Sequence, residues 1–174
     1  MKRLTIAVFG LLLAAGCSSS SSTPSSTPSS GTTTTRFTAT LSPAQENPPI
    51  QGTEAGASGS STMDFNITRD ASGAITAATV NFTVTVQNFP ATAVVNIAHI
   101  HTGGTGVNGP ILVNTTVTPG EVTLSAGSGT FTRVGLTVPG PTMQSILDNP
   151  AGFYFNIHTA ANPGGVMRGQ LVKQ

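Results

Sequence analysis

Residues Thr79-Val80-Asn81-Phe82-Thr83-Val84-Thr85-Val86 alternate strictly between polar and apolar side chains. A period of two belongs to a strand with one buried and one wet face. Val80, Phe82, Val84 and Val86 are therefore expected to face a core, while Thr79, Asn81, Thr83 and Thr85 face water. The pattern recurs where Met63, Phe65 and Ile67 alternate with Asp64, Asn66 and Thr68, and again over residues 36–41. Asp70-Ala71-Ser72-Gly73 reads as the turn of a hairpin. Residues 94–101, 111–117, 122–125, 130–134, 153–158 and 166–172 supply further strands, nearly all separated by Gly or Pro. Between residues 41 and 50, Pro43, Pro48 and Pro49 withdraw ladder donors and predict an irregular loop. One helix is expected, since Met143, Ile146 and Leu147 have i, i+3, i+4 spacing and Asn149-Pro150 ends the segment. Many short strands with regular turn signals predict an all-β, antiparallel sandwich or barrel carrying one short helix.

Charged residues make up only 7% of the chain, against about 25% in an average globular protein. Thr, Ser, Asn and Gly must then make the wet faces, which suits antiparallel sheets. The formal charge is +1, but Lys2 and Arg3 lie in a segment expected to be removed. Five basic groups (Arg36, Arg69, Arg133, Arg168, Lys173) then face six acidic ones (Glu46, Glu54, Asp64, Asp70, Glu121, Asp148), a net charge of −1. With no basic run, one Tyr and no Trp, the chain lacks the means for phosphate neutralisation and base stacking. Nucleic acid is excluded as an expected partner.

The amino terminus reads as an export signal. Met1-Lys2-Arg3 is a positive n-region, and residues 4–15 form an apolar run too short to span a bilayer as a helix. It closes on Leu13-Ala14-Ala15-Gly16-Cys17, which resembles a bacterial lipobox, with Ala14 where Leu is usual. That resemblance implies a signal peptide over residues 1–16. It also implies that Cys17, the single cysteine, becomes a diacylated, palmitate-bearing amino terminus. Durable anchoring takes more than one acyl chain, and the resemblance implies two or three. The expected location is the cell envelope, at the outer membrane if the source is Gram-negative, with the domain extracytoplasmic. Residues 18–35 are Ser and Thr except for Pro24, Pro28 and Gly31. They are expected to form a disordered tether with an r.m.s. span of about 23 Å, leaving residues 36–174 as one β domain.

All three histidines fall in two similar phrases, Asn96-Ile97-Ala98-His99-Ile100-His101-Thr102 and Phe155-Asn156-Ile157-His158-Thr159. Each phrase ends an apolar run and opens a small-residue loop. His99 and His101, two apart, point to one face of a strand. Such a pair can bind copper or zinc if a third ligand arrives, and His158 is the remaining imidazole. Along its own strand, Tyr154, Asn156 and His158 share the polar face, so Asn156 or Tyr154 could orient a ligand from behind. The competing expectation is that the histidines simply staple the Gly-rich loops to the strands.

Longer blocks carry a family resemblance. Phe37-Thr38-Ala39-Thr40-Leu41-Ser42 with Gln45-Glu46-Asn47-Pro48-Pro49 resembles the opening of a chordin (CHRD) domain. So do Ala98-His99-Ile100-His101 with Gly106-Val107-Asn108-Gly109-Pro110, and Tyr154 through Gly165 running into Arg168-Gly169-Gln170-Leu171. Thr102, and Val166-Met167 before the arginine, depart from the family's pattern. The resemblance implies an extracytoplasmic all-β domain of bacterial secreted proteins and of an animal growth-factor antagonist, with no established enzyme activity. The sandwich is then expected to be immunoglobulin-like or Cu/Zn superoxide dismutase-like. The H-x-H strand and residues 162–169 also resemble copper–zinc superoxide dismutase, which implies that Arg168 guides an anion. The fourth copper histidine, the zinc ligands and the disulfide cysteines of that family have no counterparts here, so Arg168 is equally read as a structural contact.

No G-x-S-x-G nucleophile elbow is present, and the Gly103-to-Gly109 loop has no carboxylate for calcium. Gln45-Glu46-Asn47 is a polar loop that could contact a ligand, but it reads better as a turn fixed by Pro43 and Pro48. No catalytic residue is assigned. The expectation is a lipid-anchored envelope module that binds a protein or polysaccharide partner or plays a structural part. The alternatives are a copper- or zinc-binding protein using His99, His101 and His158, and, more remotely, a dismutase-like redox enzyme.

Overall fold

The computed structural model describes residues 30–174. The expectations for the signal peptide, Cys17 and most of the tether lie outside the described residues. Nine strands form two antiparallel sheets. One contains β1 (Gly31–Leu41), β2 (Ser58–Arg69), β3 (Ile75–Gln87), β6 (Gly129–Thr137) and β9 (Val172–Lys173), in the order β6-β3-β2-β1-β9. The other contains β4 (Val95–Thr102), β5 (Ile111–Asn114), β7 (Phe153–Thr159) and β8 (Met167–Gln170), in the order β5-β4-β7-β8. The helix α1 (Gly140–Asp148) precedes β7.

The alternation in the sequence sets the inner faces. Val80, Phe82, Val84 and Val86 of β3 are buried, as are Met63, Phe65 and Ile67 of β2. They meet Ala98 and Ile100 of β4 and Phe155 and Ile157 of β7. Phe82 touches Phe155 across the two sheets at 5.7 Å between ring centroids, while Phe37 meets Phe65 edge-on at 5.4 Å. Each such side chain contributes about 1.5–3 kcal/mol of apolar burial. The Asp70 turn forms as expected, with the Oδ1 atom accepting from the Ser72 and Ala74 amides at 2.8 and 3.0 Å. In α1, Met143 and Ile146 are fully buried.

Four expectations need correction. Residues 31–35 belong to β1, not to a tether, and pair with residues 65–69 of β2. A ladder needs backbone partners, not apolar side chains, and the threonines add cross-strand bonds: Thr32 to Thr68 at 2.8 Å and Thr34 to Asn66 at 2.7 Å. Residues 122–125 make only isolated bridges, Val95 to Val122 and Ser125 to Ser128, because Ala126 and Gly127, both at positive φ, close a tight turn there. The fifth strand stops at Asn114, whose side chain accepts the Thr116 amide at 2.7 Å and turns the chain. The single strand expected over 166–172 is two, β8 and β9, in different sheets, with buried Leu171 between them. Gly169 permits the close passage, since a Cβ there would run into the carbonyl of Thr40.

An antiparallel sheet commonly leaves one face wet, but every residue of β7 is buried. Its outer face is roofed by the loops around residues 42–57, 103–110 and 160–166. Asn47 Nδ2 donates to Gly106 O at 2.6 Å and Asn108 Nδ2 to Asn47 O at 2.8 Å, locking two of these loops together.

Candidate metal centre

The outer face of the second sheet gathers the chain's polar chemistry. In β4, Ala98 and Ile100 point into the sandwich, so His99 and His101 point out. The register sets His99 opposite Asn156, His101 opposite Tyr154 and, beyond an irregularity after Val95, Ile97 opposite His158. Asn156 lies opposite Arg168 on the other side. The two histidine phrases are thus adjacent antiparallel strands, and their imidazoles converge. The ring centroids of His99 lie 4.5 Å from His101 and 4.6 Å from His158. One ligand nitrogen from each ring lies within 4.8 Å of the other two, and no Cys, Asp or Glu among the described residues joins them.

Hydrogen bonding fixes two of the rings. His101 Nδ1 lies 2.8 Å from Gly109 O and His158 Nδ1 2.8 Å from Pro163 O. A carbonyl can only accept, so each Nδ1 carries the proton and each Nε2 presents a lone pair. Those Nε2 atoms, and both ring nitrogens of His99, are buried with no hydrogen-bond partner among the described residues. Burial is the main cause of the depressed basicity of all three rings. It takes His99, with help from the neighbouring His158 and His101, down to about 3. His101 and His158 are lowered too, although the Gly109 and Pro163 carbonyls pull the other way. All three imidazoles are therefore neutral at neutral pH, the form that ligates metal. A metal–nitrogen bond of about 2.0–2.1 Å requires the nitrogens to close by roughly an ångström. The donor set fits a transition metal, and the carbonyl bonds behind two of the rings are the supports such ligands use.

A second layer backs this cluster. The Tyr154 ring stacks on His101 at 4.8 Å with an interplanar angle of 3°. Arg168 lies over the other part of the layer, its Cζ 4.3 Å from the Tyr154 centroid. The guanidinium donates from Nε to Glu46 Oε2 at 2.7 Å, from Nη2 to Asn108 Oδ1 at 2.6 Å and from Nη1 to Val107 O at 3.2 Å. Glu46 Oε1 in turn accepts from Asn156 Nδ2 at 2.8 Å. Burial raises the Glu46 pKa, with Arg168 and Asn156 opposing the shift. Gly165, at a φ of 128°, packs tightly here: a Cβ would come within 2.8 Å of Asn156 Nδ2 and 3.0 Å of Glu46 Oε1. A cavity of about 280 Å³ opens above Glu46, between Pro48, Asn108 and residues 161–165.

The three histidines, Asn156 and Tyr154 come together as their spacing suggested. Arg168, the residue read as an anion guide or a structural contact, is 3% exposed and bonds to Glu46, Val107 and Asn108. Sequence reasoning missed the buried pairing of Glu46, read as part of a ligand-contacting loop or a turn, and missed Glu54, a buried acid that accepts from Thr159 Oγ1 at 2.7 Å and Asn162 Nδ2 at 2.5 Å. The usable signal for Glu46 was its place among the few acids of a chain with a buried-type arginine.

The fold is an all-β, two-sheet sandwich with a roofed, imidazole-bearing outer face, consistent with a binding or structural module. The CHRD domain model matches residues 37–171, and the chain belongs to the CHRD domain family. Searches of curated proteins and of solved structures returned no match.

Proposed function

We propose that this CHRD domain is a metal-binding module of the cell envelope, taking copper or zinc on His99, His101 and His158. The observation that carries the reading is the set of buried ring nitrogens left without partners beside two Nδ1 atoms held by backbone carbonyls. Loop staples alone would need those two bonds and nothing of His99, whose burial with neither nitrogen bonded costs stability that an ion would repay. The role is to hold the ion and not to turn over substrate: Arg168 is buried, and each of its three nitrogens already bonds to Glu46, Val107 or Asn108. The lipobox-like 13–17 segment supports anchoring through an acylated Cys17, which would keep the module at a membrane surface. The test is the copper and zinc content of the full-length chain after dialysis, beside His99→Ala/His101→Ala. One ion per chain, lost in the double variant, is expected. A metal-free wild type that stays empty when either ion is supplied would leave the histidines as staples.

A further inference from the structure

We infer, resting on the metal reading just given, that the ion these histidines take is copper in its monovalent state, in preference to zinc or divalent copper. Three observations carry this. The first is the number of donors. Structural zinc is bound by four protein ligands, three-histidine zinc completes its shell with a water, and divalent copper prefers a tetragonal set. Here three nitrogens converge with no Cys, Asp or Glu beside them among the described residues.

The second is the accounting of polar atoms on this face. Both His99 nitrogens, His101 Nε2, His158 Nε2 and Asn156 Oδ1 lack partners. Asn156 sits opposite His99 in the strand register, and its amide is oriented by the bond from Nδ2 to Glu46. One nitrogen from each ring then serves the ion. Asn156 Oδ1, the other unpartnered side-chain atom on this face, is the acceptor a small rotation would give the remaining His99 N–H. Among the described residues no further unpartnered side-chain atom remains on this face to supply a fourth ligand or to join the two to four polar partners a bound water needs.

The third is charge. All three donors are neutral, and the buried Glu46 carboxylate that could balance a cation is already matched by Arg168 at 2.6 Å. The desolvation cost of an ion grows with the square of its charge, so a dication is penalised about four times as heavily as a monocation in such a cage. Imidazole donors suit copper as well as zinc, so donor type alone does not choose between them. The low donor count and the neutral, roofed surroundings then select copper in its monovalent form.

The experiment uses the full-length chain in detergent under nitrogen. Cuprous ion, delivered as its acetonitrile complex, is titrated in competition with bicinchoninate. Zinc is titrated against a zinc chromophore, and a cupric-loaded sample is followed by electron paramagnetic resonance during ascorbate addition. One cuprous ion per chain, held at least 100-fold more tightly than zinc, is expected, together with a cupric signal that ascorbate abolishes without loss of copper. His158→Ala should lose the ion while retaining its strand circular dichroism. The wild-type competition decides the matter even if that variant fails to fold. Zinc held as tightly as cuprous ion, or a cupric signal that persists in ascorbate, overturns the inference and leaves the metal reading standing. Failure to retain any of the three ions overturns both.

Discussion

Acidifying the metal-free domain from pH 7 to pH 5 should remove about 2 kcal/mol of stability through His99 alone. In the folded chain this ring titrates at about 3, against an ordinary value of 6.5. The folded state thus refuses a proton that the unfolded state accepts. Stability from this group is complete above pH 6.5 and declines as the pH falls toward 3. At pH 5 the unfolded ring lies about 1.5 units below its own pKa, and at 1.36 kcal/mol per unit the loss is about 2 kcal/mol. His101 and His158 are also shifted downward, so they add to the loss. Glu46, shifted upward, works in the opposite sense at the acid end, gaining stability on protonation. Urea denaturation with a chelator present, at pH 7, 6 and 5, measures the effect. With a slope of about 1–3 kcal/mol per molar urea, the midpoint should drop by roughly 1 M. His99→Gln, which cannot titrate, should show a fall smaller by the His99 share. Equal falls in wild type and variant would refute the claim that the buried imidazole is the acid-sensitive group.

Three further outcomes follow, two from the packing and one from the proposed anchor. Glu46→Gln should cost about 3–5 kcal/mol by leaving Arg168 buried without its counter-charge, and a Glu46→Gln/Arg168→Met pair should recover part of that in the same urea assay. Gly169→Ala should lose about 1–3 kcal/mol through forced displacement at Thr40, seen as a lower thermal midpoint, while Gly164→Ala, where a Cβ meets nothing within 4 Å, should be near neutral. Cys17→Ser should abolish incorporation of labelled palmitate and release the chain from the membrane fraction; persistence of the label would refute acylation at that residue.

The fold was legible wherever burial imposed a period on the sequence. The inner faces of β2 and β3 follow directly from alternation, and the helix from three apolar residues at helical spacing. The start of β1 was not, because a run of exposed threonines has no apolar rhythm and its pairing with residues 65–69 is decided by the partner strand. Nor was the break at Leu171, where Gln170-Leu171-Val172 carries no Gly or Pro to mark a change of sheet. At the site, the repeated phrase around His99, His101 and His158 was readable because neighbouring strands carry it. The Glu46–Arg168 pair was not, since its members are 122 residues apart and nothing local ties a proline-rich loop to a distant strand.

The way β1 enters the sandwich also bears on mechanics. A tether running into Gly31 would draw along an 11-residue strand whose ladder with β2 spans its whole length. A pull in that direction loads those hydrogen bonds together in shear, instead of peeling them one by one from an end. The histidine cluster sits on the other sheet, outside the line of load. Tension applied at Gly31 would therefore fall first on the threonine-rich sheet, while the histidines lie on the other one.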